Sequence, residues 1–138
     1  MRKMPMDNAT CFDLFAWKYG RGRKLRLSMT SEDPELCKYF NYLGSLGSTY
    51  MDTEGNIIIT IHDKGGATPA TWYEELMHAK QFIDRGQCSI GIGGTLDAWE
   101  VEVADCLLVN AVRLGLTEEE KNVATRSKVK YSRGGCDV

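Results

Sequence analysis

Residues that usually mark a metal or redox site are scarce in this chain. It has only two histidines among 138 residues, and its five cysteines are widely spaced, with no C-x-x-C pair. The missing pair argues against a zinc ribbon and a thioredoxin-type site. Because the cysteine count is odd, at least one thiol is free or pairs between chains. We expect reduced thiols, as in the cytosol, with a Cys88–Cys106 disulfide as the alternative.

Long apolar runs and an excess of charge are also missing. No segment approaches the ~20 apolar residues that span a bilayer, so we expect a globular protein outside the membrane. The 17 basic and 19 acidic residues give a net charge of −2, which provides no overall attraction to nucleic acid. Two local basic clusters are predicted to be solvated faces, although either could contact phosphate. They are Lys18, Arg21, Arg23, Lys24 and Arg26, and Lys121, Arg126, Lys128, Lys130 and Arg133.

Hydrophobic periodicity and turn residues predict a single domain over residues 1–138. The expected fold class is α+β, with a small antiparallel sheet packed on a helical layer and two long helices forming the site. Predicted helices cover residues 8–19, 31–46, 69–85 and 95–114, with a short last helix from residue 117. Predicted strands cover residues 24–29, 49–51 and 56–62, the last two as a hairpin, while 88–94 and 131–138 are predicted to be irregular.

The segment TWYEELMHAKQF, residues 71–82, comes within one residue of the H-E-x-x-H pattern of zinc peptidases. Residues four apart lie on one helix face, so Glu74 and His78 point the same way, with Glu75 beside them. In H-E-x-x-H enzymes the two histidines bind zinc and the glutamate acts as general base. Position for position, Glu74 replaces the first ligand, Glu75 is the base and His78 is the second ligand.

A second predicted helix about twenty residues downstream supplies further carboxylates. It carries Glu100 and Glu102, which are separated by about 200° around the helix, so only one of them faces the first helix. Asp105 on the same helix is a candidate to orient His78 from behind.

These segments together resemble the zincin-like metallopeptidase toxin domains of bacterial polymorphic toxins. The shared features are a strand (IIITI), a helix with E-L-M-H-A-K-Q, a later E-V-E-V-A helix and the segment LGLTEEE. The resemblance covers residues 55–120 or so, and residues 1–50 would be a helical and strand part of the same domain.

The resemblance implies a zincin-like fold and a metal-dependent hydrolase of peptide bonds. It implies Glu75 as general base, His78 as metal ligand and Glu100 as third ligand, with Glu102 as the fallback. The missing first histidine leaves Glu74, or His62 from the end of the strand, to complete the set. The expected ion is divalent, zinc first, although a Glu/His/Glu set would favour manganese or iron more than usual, and no metal at all is a further alternative. The resemblance also implies delivery into the cytoplasm of a target cell, a protein substrate there, and a cognate immunity protein.

Several interpretations compete with this one. Thr71-x-x-Glu74 fits a capping box, which would give Glu74 a structural task instead. A metal-independent ribonuclease toxin could use His62, His78 and Glu75 for acid–base chemistry. A domain that only binds a partner would need none of these roles. Four apolar residues at helical spacing, Trp72, Phe82, Trp99 and Leu107, are predicted to belong to the core.

Overall fold

A three-stranded sheet with its most apolar strand in the middle forms one layer of the fold. The computed structural model describes residues 12, 15–18, 25–86 and 97–132. Within them, the strands are β1 (Leu25–Met29), β2 (Gly47–Met51) and β3 (Ile57–Ile61), in the order β1-β3-β2. The hairpin of β2 and β3 is confirmed, and β3 is central, as its β-branched sequence predicts.

The sheet is mixed, so the prediction of an antiparallel sheet is wrong for one of its two pairings. β1 runs parallel to β3, with Leu25 opposite Ile57 and Met29 opposite Ile61. A parallel pair needs a crossover of a dozen or more residues. The 27 residues between β1 and β3, which contain a helix and β2, provide it. The α+β class is confirmed.

The described helices differ from the predicted ones mainly at their ends. The helix predicted at 31–46 ends at Leu43, three residues early, because Gly44 adopts a left-handed φ of 69°. The predicted helix at 8–19 is helical at residues 15–18, and its other residues lie almost wholly outside the described part. No described helix is both long and apolar enough to cross a membrane. The helices are α1 (Pro34–Leu43), α2 (Pro69–Arg85), α3 (Asp97–Val109), α4 (Ala111–Leu114) and α5 (Glu118–Ser132).

Two predictions for the C-terminal half need correction. The predicted helix to Leu114 is interrupted at Asn110, whose side-chain amide donates to the Cys106 carbonyl at 2.8 Å. The last helix, α5, has 15 residues instead of being short, and it takes in Tyr131 of the supposedly irregular tail. The predicted loop at 88–94 lies outside the described residues, as does Cys88, while Cys106 is a free thiol.

Helix α2 lies between the sheet and α3, and α3 in turn packs on α5. The predicted core residues Trp72, Phe82 and Trp99 are buried, and Phe82 meets Trp99 edge-on at 5.2 Å between ring centroids. Leu107 belongs to a second apolar cluster between α3 and α5. Because α2 is covered on two sides, four of its polar residues, Thr71, Glu75, His78 and Gln81, are buried.

A polar network centred on the buried Thr30 and His62 joins the ends of β1 and β3. His62 Nδ1 lies 2.7 Å from Thr30 Oγ1, and its Nε2 lies 2.7 Å from Asn41 Oδ1. Asp63 Oδ1 accepts hydrogen bonds from Thr30 Oγ1 at 3.1 Å and from the Ser31 amide at 2.9 Å. The network thus fixes the point at which the chain leaves the sheet.

We expect Asp63→Asn to flatten the acid limb of the pH–stability profile. Partial burial raises the pKa of Asp63, but the hydrogen bonds from Ser31 and Thr30 outweigh it and leave the pKa below its ordinary value. A lowered folded-state pKa contributes stability that is present above about pH 4 and lost as the pH falls further. Urea unfolding of the variant and the parent chain between pH 6 and pH 3 measures this. Equal slopes for the two proteins would contradict the assignment.

Candidate metal site

The residues that cap the N-terminus of α2 determine whether Glu74 has a capping role or is available as a ligand. The capping box is formed by Thr68 and Thr71, each side chain bonding the other's backbone, and Pro69 occupies the first turn. The sequence interpretation of Thr71 and Glu74 as the box is therefore wrong by three residues. Glu74 lies inside the helix, more than a turn from its start, and its carboxylate faces α3.

Three predicted ligands come together between α2 and α3. Glu74, His78 and Glu100 each offer a ligand atom, and these atoms all lie within 4.8 Å of one another. His78 Nε2 is 3.2 Å from Glu100 Oε1. His78 is buried, at 3% exposed, whereas the two carboxylates are partly accessible. The group is of a kind that can hold a metal ion.

Gln81 fixes the orientation of the His78 ring. The Gln81 Nε2 group donates to the Trp99 carbonyl at 3.1 Å and to Glu102 Oε1 at 2.9 Å. With both amide hydrogens engaged, Gln81 Oε1 is left as the acceptor for His78 Nδ1–H, 2.8 Å away. In the neutral ring the hydrogen therefore resides on Nδ1, and Nε2 is directed at Glu100, as in histidines that bind metals.

Glu102 and Asp105 occupy different positions from the predicted ones. Glu102 points away from Glu74 and accepts two hydrogen bonds from Arg85, at 2.6 and 2.8 Å. Glu102 is connected to His78 only through Gln81. The predicted fallback ligand therefore helps to hold Gln81 in position instead of facing the ligand group. Asp105 pairs with Lys128 at 2.6 Å, and Gln81 takes the orienting position that the sequence interpretation gave to Asp105.

Glu75 faces the opposite neighbour of α2, the edge strand β2. It is only 5% exposed, and its Oε1 accepts a hydrogen bond from Thr49 Oγ1 at 2.7 Å. Its Oε2 makes no hydrogen bond to any other described residue. Sequence reasoning missed Thr49, although its place in the hairpin strand beside β3 was a usable signal.

The charges of the site are unbalanced. Burial and the charge of Glu74 raise the pKa of Glu75 to about 8, and burial raises the pKa of Glu74 as well. Burial lowers the pKa of His78, but the hydrogen bond and charge of Glu100, with the charge of Glu75, raise it overall to about 9. No described lysine or arginine pairs with Glu74 or Glu75. A cation would relieve the repulsion among these carboxylates.

His62 is not brought together with His78. Both of its ring nitrogens are engaged by Thr30 and Asn41, and a Cβ on Gly65 would clash with the ring at 2.1 Å. Among the described residues, the ligand group does not include His62. The two histidines thus lack the shared site that the ribonuclease hypothesis requires.

A cavity of about 520 Å³ opens beside the ligand group. Glu74, Glu75 and Glu100 line it, and α5 supplies one wall with Val123 and Ala124. Burial and the negative charges of Glu100, Glu74 and Asp97 raise the pKa of Tyr131, at the far end of α5. The sequence interpretation missed this wall because α5 is highly charged. Its signal was a stripe at helical spacing, Glu120, Val123, Ser127 and Tyr131.

Gly47→Ala is expected to displace the Glu75 carboxylate. An added Cβ would lie 3.0 Å from both Cγ and Oε2 of Glu75 and 3.1 Å from a Thr71 methyl group. Overpacking of this kind costs about 1–3 kcal/mol of stability. We also expect any activity that depends on Glu75 to fall, with kcat affected more than KM. Ser48→Ala, on the next residue of β2, is the control. A variant with unchanged stability and activity would contradict the tight fit.

Comparison of the chain with protein-family models, curated proteins and solved structures found no significant match. The indications of what the site does are therefore its own geometry and the resemblance of its motifs.

Proposed function

We propose that this chain is a metal-dependent hydrolase of peptide bonds. Glu74, His78 and Glu100 would hold one divalent ion, and Glu75 would act as general base. The observation that carries the proposal is the convergence of three ligand atoms from α2 and α3 within 4.8 Å, on the wall of a cavity that Glu75 also lines.

The ligand set fits a small divalent ion. Ligand atoms about 2.0–2.2 Å from a tetrahedral zinc ion lie roughly 3.3–3.6 Å apart. The separation of His78 Nε2 and Glu100 Oε1, 3.2 Å, is close to this, and rotation of the carboxylates closes the wider pairs. Two oxygens and one nitrogen suit zinc, and they suit manganese or iron better than the usual two-histidine set does.

Each residue then has a defined task. A bound divalent ion supplies Lewis acidity, which polarises the peptide carbonyl and makes water acidic enough to attack near neutral pH. Glu75 takes the proton of the attacking water and returns it to the leaving amine. Thr49 holds the Glu75 carboxyl in place, and Gln81 holds His78.

The resemblance of residues 55–120 also supports an effector role. We propose that the substrate is a protein of the target cell and that an immunity protein inhibits the enzyme in the producing cell. Growth of a bacterial host that expresses the parent chain, compared with one that expresses a catalytically impaired variant, tests this role.

Metal titration tests the site directly. We expect the parent chain to bind one equivalent of Zn²⁺, Mn²⁺ or Fe²⁺ in calorimetry and elemental analysis. Glu100→Gln and Glu74→Gln should each weaken binding by more than the roughly 10–100-fold that follows loss of a supporting residue. Glu118→Gln, a surface carboxylate 84% exposed and paired with Lys121, is the matched control. Unaltered binding by both variants would overturn the ligand assignment.

A further inference from the structure

The cavity beside the ligand group has an apolar side remote from the chemistry. Val103 and Leu107 of α3 and Val123 and Ala124 of α5 contribute to it. Its volume, about 520 Å³, is within the range of sites that enclose small ligands, about 300–1,000 Å³. The space is therefore large enough for one extended side chain together with its neighbouring backbone.

All charged side chains among the described lining residues are carboxylates. Besides the three at the ligand group, Glu119 and Glu120 line the cavity from the first turn of α5. Glu120 is held in place, since it accepts hydrogen bonds from the Thr117 amide at 2.9 Å and the Ala70 amide at 3.3 Å. Glu119 is exposed at the rim and is the more accessible of the pair.

Glu75 gives a second indication that the cavity receives a polar group. It lines the cavity and is 95% buried, and its Oε2 has no hydrogen-bond partner among the described residues. A buried carboxyl oxygen without a partner is costly, and a polar group that enters the cavity removes that cost.

We infer that the cavity binds a lysine or arginine side chain of the substrate peptide, an inference that rests on the proposed function. The methylene stem would lie along Leu107 and Val123, and the cationic head would lie near Glu119 and Glu120. Acidic side chains would be rejected by like charge in a partly enclosed space.

Matched peptides that differ at one position test this inference. We compare peptides with lysine, arginine, norleucine or glutamate at that position, in binding to Glu75→Gln and in cleavage by the parent chain with metal. Lysine and arginine peptides should be favoured over norleucine by about tenfold, and the glutamate peptide should bind weakest. Glu119→Lys should abolish the preference for lysine and arginine, whereas Glu118→Lys, with the same charge change outside the cavity, should retain it.

The outcomes separate the two proposals. Binding that prefers lysine without any cleavage would support the cavity assignment and count against the peptidase. Cleavage without that preference, or a preference that Glu119→Lys leaves intact, would overturn the cavity assignment alone.

Discussion

Glu75→Gln is expected to remove peptide hydrolysis while the fold and the ligand group stay in place. Loss of a positioned general base typically costs about 10²–10⁴ in rate. The amide has the same shape as the carboxyl group, and its oxygen still accepts the hydrogen bond from Thr49. Because burial raises the pKa of Glu75 to about 8, the side chain is mostly neutral at pH 7, so the amide changes its charge little and we expect thermal stability close to that of the parent chain.

The measurement is kcat on a quenched peptide at saturating metal, with metal stoichiometry and the melting temperature determined on the same samples. Glu118→Gln serves as the control for the loss of one carboxylate at the surface. If Glu75→Gln bound metal and retained the parental kcat, Glu75 would not be the base, and the catalytic assignment would fail.

Gln81→Met is expected to weaken metal binding by about 10–100-fold, because it removes the group that orients His78. The substitution keeps the approximate volume but leaves the buried His78 Nδ1–H without its partner and removes one hydrogen bond each from the Trp99 carbonyl and Glu102, which stays paired with Arg85. Unsatisfied buried groups of this kind should also cost about 1–3 kcal/mol of folding stability.

A tautomer measurement separates positioning from mere packing. In the metal-free parent chain above about pH 9, where His78 is neutral, ¹⁵N shifts of its ring should show the hydrogen on Nδ1, and Gln81→Met should perturb that nitrogen. Lys80→Met, one residue earlier on the exposed side of α2, is the matched control. A variant that loses stability but keeps the parental metal affinity would show that Gln81 has only a packing role.

Local sequence signals predicted the elements that are defined by their own hydrophobic periodicity or by the residues at their ends. Helix α2 runs between the predicted ends, with Pro69 at its start and Gly86 after it. Glu74 and His78 were predicted to point the same way because helix geometry fixes which side chains share a face, and the family resemblance added Glu100 as the third ligand. To bring these ligands together, α2 and α3 also had to pack against each other, and they do so in the structure.

The other features of the fold and the site depend on contacts between distant segments, which cannot be predicted from the local pattern of a single sequence. The parallel pairing of β1 is decided by a crossover, and β1 has the same alternating pattern in either direction. His62 was a candidate ligand until Thr30 and Asn41, 32 and 21 residues away, were found to engage both of its nitrogens. Similarly, the choice between Glu100 and Glu102 required the rotation of α3 about its axis.

The position of α2 between two layers has a mechanical consequence. Glu75 bonds to the sheet on one side, and His78 contacts α3 on the other, within a single helical turn. A movement that separates α3 from α2 would therefore pull the ligand group apart while leaving Glu75 in place against β2. An ion held by Glu74, His78 and Glu100 would link α2 to α3. Transient separation of the two helices, measured as amide hydrogen exchange in α3, would therefore slow when the ion binds.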